Sequence, residues 1–131
     1  MHLIIGGTFQ GKTDWAKARF GLKDAEIVEC TEQALPDLSA KCITHLERFV
    51  LCCLRQGKEP KTVLLQEKDD WKESVLICDD ISCGVVPLDA ETRAWREACG
   101  RMLSALSVEA ETVTRIFCGL PQRLKECKEF I

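Results

Sequence analysis

Residues 6–13 read Gly-Gly-Thr-Phe-Gln-Gly-Lys-Thr and satisfy the spacing G-x-x-x-x-G-K-[ST] at every fixed position. The chemistry this spacing suits is the gripping of a phosphate chain. Small residues let successive backbone N–H groups converge on an anion, and the positive end of a following helix points at the same charge. In such a loop Gly6, Gly7, Thr8, Phe9, Gln10 and Gly11 wrap the phosphates of a nucleoside triphosphate. Lys12 reaches the β and γ phosphates, and the Thr13 hydroxyl helps to hold Mg²⁺. The alternative is a glycine turn with a surface lysine, and the flanking elements separate the two, since the motif demands a strand before it and a helix after it. Leu3-Ile4-Ile5 is a continuous apolar run of the kind a strand buried on both faces shows, and Trp15, Ala16 and Phe20 recur at helical spacing until Gly21.

A phosphate site also needs an acid at the end of another apolar strand, where it holds the metal through water or orients an acceptor hydroxyl. Ser74-Val75-Leu76-Ile77-Cys78 ends in Asp79-Asp80 and supplies two. Lys12, Asp79 and Asp80 are therefore the candidate catalytic residues, and Thr13, Asp79 and Asp80 the candidate Mg²⁺ ligands, with ATP or GTP as the phosphoryl donor. The alternative for the two aspartates is a solvated loop start. No N-K-x-D base-reading sequence occurs, which argues against a regulatory GTPase.

The elements that must position these residues follow in order. Ala25 to Cys30 is a short second strand. From Leu38 to Gln56 the residues Cys42, Ile43, Leu46, Phe49, Val50, Cys53 and Leu54 hold one stripe of a 3.6-residue period, introduced by Pro36-Asp37 and closed by Gly57, which predicts one continuous helix. Thr62 to Trp71 reads as a strand opening or a short helix, and the helix is preferred. After the acid strand a loop runs through Gly84 to Pro87. Asp89 caps a helix whose apolar face is Trp95, Ala98, Cys99, Met102, Leu103 and Leu106, with Arg93, Arg96 and Arg101 mostly outside it. Thr112 to Cys118 is the last strand, before Gly119-Leu120-Pro121 and a charged tail. Strands alternating with helices imply an α/β sandwich around a mainly parallel sheet, here one P-loop nucleotide-binding domain over residues 1–131.

Composition narrows the partners. With 46% apolar and 30% charged residues and no long apolar run, the chain carries no membrane span. A net charge of -3 and a pI near 5.5 give no basic footprint for nucleic acid. The start of the chain lacks the pattern of a secretory signal, so a cytoplasmic location is expected. Nine cysteines without a C-x-x-C pair, beside two histidines, read as reduced and mostly buried thiols.

Several segments share a family resemblance. Ile77-Cys78-Asp79-Asp80-Ile81-Ser82-Cys83-Gly84-Val85-Val86-Pro87 resembles the V-T-N-E-V-G-x-G-I-V-P signature of the adenosylcobinamide kinase/adenosylcobinamide-phosphate guanylyltransferase family. Arg93 to Arg101 resembles that family's R-x-F-R-D-x-x-G-R helix, Phe117 to Lys125 its V-x-G-L-P-x-x-L-K close, and residues 6–13 its G-G-x-R-S-G-K-S loop. The resemblance spans residues 1 to 20 and about 75 to 125. It implies a P-loop NTPase-like three-layer sandwich, nucleoside triphosphate and adenosylcobinamide as partners, and a homo-oligomer, since the family forms trimers. It also puts Asp79 and Asp80 at the asparagine and glutamate of the signature and Thr31 at a threonine-bearing turn after the second strand.

The departures shape the function. Phe9 stands where the family has arginine, Ser82 replaces a glycine, Leu103 replaces an asparagine, and the chain is shorter through its middle, where the family carries a histidine that accepts GMP and then an R-P-x-x-W stretch. No such stretch occurs. His45 lies at about the right distance from the loop, yet on the shoulder of the expected helix, so an ordinary boundary histidine is the expectation and a guanylylated one the alternative. The implied activity is phosphorylation of the aminopropanol hydroxyl of adenosylcobinamide, with the guanylyltransferase half lost. Two other readings stay open: a catalytically weak nucleotide-binding regulator or partner in cobalamin assembly, and a P-loop kinase for another small alcohol. Arg93, Arg96 and Arg101, with Arg123 and Lys125, are either phosphate or corrinoid contacts or a solvated face.

Overall fold

The run Leu3-Ile4 packs on both sides of a sheet, each residue about 1% exposed, and so forms its central strand. A computed structural model describes residues 1–81 and 89–126. Strand β1 (His2–Gly6) pairs in parallel with β4 (Val75–Asp79) on one side and β5 (Thr112–Phe117) on the other. Beyond β4 lie β3 (Cys42–Thr44) and β2 (Ile27–Glu29), both parallel, and beyond β5 lies the antiparallel β6 (Leu120–Lys125), giving the order β2-β3-β4-β1-β5-β6. The fold is the expected α/β arrangement on a mainly parallel sheet.

Two cores flank this sheet. Helices α2 (Leu46–Arg55), α3 (Pro60–Gln66) and α5 (Ala90–Glu109) cover one face, where Phe49, Leu64, Trp71, Leu76, Met102 and Leu106 interlock. The opposite face carries α1 (Lys12–Phe20), whose Ala16 packs on Ile4, Cys42, Ile77 and Ile116. A four-residue helix α4 (Lys68–Trp71) places Trp71 in the first core, where its indole N–H donates to the Leu64 carbonyl at 2.8 Å. The 62–71 stretch is thus helical, opened by Pro60 at a position where a missing N–H costs nothing.

The expected continuous helix over 38–56 is corrected. Cys42, Ile43 and Thr44 form β3, all three buried, and α2 starts only at Leu46. A slot between β2 and β4 takes this segment because short buried strands and buried helix turns share one apolar signature, which periodicity does not separate. Asp37, expected to open the helix, instead closes a turn by accepting from the Ser39 amide at 3.0 Å and the Ser39 hydroxyl at 2.6 Å. His45 makes the corner in the left-handed region, φ 57°. Two smaller corrections concern strand ends. Asp24–Glu26 wind into a 3₁₀ turn, so β2 shrinks to three residues, and the charged tail pairs back as β6 through Cys118 and Gly119, both at positive φ as a two-residue hairpin turn requires. The segment Ser82 to Leu88, including the Gly84–Pro87 signature, and residues 127–131 lie outside the described residues.

Among the described residues, Cys30, Cys42, Cys52, Cys53, Cys78 and Cys99 are buried free thiols and Cys118 is exposed. Burial pushes Cys30, Cys42 and Cys99 up to about 12 and raises Cys78 well above its ordinary value. Since the thiolate is the nucleophile, iodoacetamide should alkylate Cys118 well ahead of these four in the native protein, as peptide mass mapping would read. Comparable labelling rates would contradict the packing described.

Helix α5 begins at Asp89, whose carboxylate accepts from the Thr92 hydroxyl at 2.6 Å and the Thr92 amide at 2.8 Å. These donors hold the Asp89 carboxyl below its ordinary value of 3.8. A carboxyl depressed in the folded state adds stability above its unfolded pKa, and that stability is lost as pH falls through the folded pKa. Asp89→Ala should therefore lower the melting temperature at neutral pH, and its gap from the parent should narrow as pH falls below the ordinary carboxyl value of 3.8. A gap independent of pH would sink this assignment.

Candidate functional site

The loop between β1 and α1 sits at the carboxyl ends of the parallel strands, where ligands of open α/β sheets bind. Its shape is set by backbone constraints. Gly6 lies so close to β5 that a Cβ would come within 2.5 Å of the Ile116 carbonyl oxygen. Gly11, at φ 87°, turns the chain into α1. Phe9 also adopts positive φ and is fully exposed at the loop tip. The β5–β6 turn braces the tip: Gln10 accepts from the Cys118 amide through its side chain at 2.5 Å and from the Gly119 amide through its carbonyl at 2.9 Å.

Lys12 opens α1 yet is only 7% exposed, with its ammonium turned inward. It donates to the Gly7 carbonyl at 2.6 Å and pairs with Asp79 Oδ1 at 2.7 Å. Asp79 Oδ2 accepts from the Thr8 hydroxyl at 3.2 Å. The loop, Lys12, Thr13 and Asp14 line a cleft of about 210 Å³ together with Thr44, His45, Ile77 and Asp79. Thr13 and Asp79 bring oxygen donors to it, which suit Mg²⁺. Asp80 follows at the strand end, its amide donating to the Gly6 carbonyl at 2.8 Å.

The remaining sequence candidates fall elsewhere. Thr31 caps a tight turn, its hydroxyl accepting from the Ala34 amide at 3.3 Å, and lines a separate depression with Glu32, Gln33 and Arg48. Arg101 lines a surface groove with Lys61 and Glu97. Arg93 and Arg96 lie on α5, and Arg123 and Lys125 on exposed β6.

Two features at the cleft wall, Glu47 and Thr44, were not foreseen from the residues, and a third, the candidate His45, was expected on a helix shoulder. His45, freed from the expected helix, is a corner residue on the cleft wall. Glu47, in the first turn of α2, is 4% exposed and bridges: Oε1 accepts from the Asp79 amide at 2.9 Å, and Oε2 lies 3.2 Å from His45 Nδ1. The Trp95 indole N–H anchors this turn by donating to the Glu47 carbonyl at 2.6 Å. Thr44, 2% exposed, has no hydrogen-bond partner for its hydroxyl among the described residues. The missing signal was the strand: had 42–44 been read as one, its carboxyl end would have brought Thr44, His45 and Glu47 to the loop.

A glycine loop between strand and helix, a buried lysine at its end and an acid on the adjacent strand are the parts of a P-loop NTPase-like α/β fold. Residues 23–124 match the model of the cobinamide kinase / cobinamide phosphate guanyltransferase family, and the chain belongs to that family. Membership supports a role in cobalamin biosynthesis with nucleotide binding. The loop at 6–13 precedes the matched span. No curated protein matches the chain. Among the described residues no helix is long and apolar enough to cross a membrane.

The contact at Gly6 gives a sharp test of loop geometry. Gly6→Ala should cost about 1–3 kcal/mol of stability through its clash with backbone. Gly7→Ala, where the nearest atom to a new Cβ is the flexible Gln10 side chain at 3.5 Å, should cost less. Equal melting temperatures for the two variants would contradict the packing of β1 on β5.

Proposed function

We propose that this chain binds ATP or GTP with Mg²⁺ in the cleft and transfers the γ-phosphoryl group to the aminopropanol hydroxyl of adenosylcobinamide. The observation that carries the proposal is the buried Lys12, held at the floor of the glycine loop beside Asp79 at 2.7 Å. Phosphoryl transfer asks mainly for positioning and charge neutralisation. Entering phosphates compete with Asp79 for the ammonium, and the loop amides supply further donors. Thr13, Asp79 and Asp80 would hold Mg²⁺, which would neutralise charge on the phosphates. The acceptor oxygen bonds to the γ-phosphorus as the bond to the bridging oxygen breaks. The hydroxyl proton leaves through Asp79 or Asp80 to solvent, and the nucleoside diphosphate departs.

The guanylyltransferase half is lost in this reading, since no R-P-x-x-W stretch occurs. A second reading keeps it, on one observation: His45 lines the loop's cleft, with its ring fixed against Glu47. ATP or GTP labelled on the γ-phosphate should pass label to adenosylcobinamide, with Lys12→Ala lowering the rate at least about 100-fold. GTP labelled on the α-phosphate should leave no label on the protein. Protein-bound α-label would establish the second reading, and no transfer from either nucleotide would sink the first. Tight nucleotide binding without turnover, in complex with another protein of cobalamin assembly, would mark a regulator.

A further inference from the structure

The cleft holds a second arrangement of donors that phosphate binding leaves unexplained. His45, Glu47 and Asp79 each offer one ligand atom, and these atoms lie within 4.8 Å of one another. The 3.2 Å between His45 Nδ1 and Glu47 Oε2 matches the roughly 3 Å that separates adjacent ligands around one ion with bonds of about 2.1 Å. Thr44 lines the same cleft, and its buried hydroxyl has no partner among the described residues.

We propose that His45, Glu47 and Asp79, completed by the Thr44 hydroxyl, form a site for a borderline divalent cation such as Mn²⁺ or Zn²⁺. One imidazole nitrogen among oxygen donors favours these ions over Mg²⁺, which prefers oxygen and water. Two carboxylates against one ammonium leave the cluster net negative, so a cation is attracted before any nucleotide enters. Lys12 is the built-in competitor, because its ammonium already occupies Asp79 Oδ1 at 2.7 Å. Loading the ion weakens that pair and turns Lys12 toward the phosphate side of the cleft. Ion and lysine thus exchange places on one carboxylate, and the site stands independently of the phosphoryl acceptor.

The test uses the full chain without nucleotide, titrated with Mn²⁺ and followed by electron paramagnetic resonance. One Mn²⁺ should bind per chain, and spin-echo modulation should show coupling to a ¹⁴N nucleus from His45. His45→Ala should weaken binding at least about tenfold and abolish the nitrogen coupling, whereas Lys12→Ala should tighten binding about tenfold. Glu47→Gln, which keeps an acceptor for the Asp79 amide, should also weaken binding and serves if His45→Ala does not fold. No bound Mn²⁺, Mn²⁺ bound without nitrogen coupling, or a Lys12→Ala protein that binds no more tightly would each overturn the proposal. Loss of phosphoryl transfer with an intact Mn²⁺ signal would count against the kinase reading alone.

Discussion

The carboxylate of Asp79 is the point on which the site turns. It ends β4, accepts from Thr8 of the loop, pairs with the buried ammonium of Lys12, and holds its own amide on Glu47 of α2. A charge pair this buried is costly to assemble unless further hydrogen bonds complete it. Here they come from the loop, through the Gly7 carbonyl and the Thr8 hydroxyl, while Glu47 of α2 accepts from the Asp79 amide. The loop, the central strands and the first turn of α2 are therefore fixed to one another through a single side chain and its backbone.

The rest of the fold serves that junction. Parallel pairing of β1 with β4 brings Gly6 level with Asp79. Close approach of β1 to β5 leaves room only for glycine at the loop's start, and the β5–β6 turn braces the tip through Gln10. Trp95 of α5 pins the carbonyl of Glu47, so the long helix also fixes the turn whose carboxylate holds the Asp79 amide. The consequence is a loop fixed at both ends, by Gly6 against β5 and by Gln10 against the β5–β6 turn.

Much of this was legible in the residues. The glycine loop, the strand before it, the helix after it and the acid-ended strand all followed from spacing and apolar runs, because each has a local signature strong enough to stand alone. The family resemblance through 93–101 and 117–125 pointed to the family that the match over 23–124 shows. What stayed hidden was non-local. Three residues, Cys42 to Thr44, carry an apolar pattern that serves a helix or a strand, and only the slot between β2 and β4 decides between them. Reading them as helix moved His45 onto a helix shoulder and hid Glu47 and Thr44 altogether. The hairpin at Cys118-Gly119 was hidden for another reason: β6 is exposed along its whole length and shows no buried alternation to read.

The proposed function depends first on the binding of a nucleoside triphosphate by Lys12 and the loop. Calorimetric titration with non-hydrolysable analogues of ATP and GTP, in Mg²⁺, tests it most directly. Saturable binding at one site per chain, abolished by Lys12→Ala in a protein that still melts cooperatively, is the predicted result. An absence of binding for both analogues, or equal binding by the Lys12→Ala protein, would contradict it.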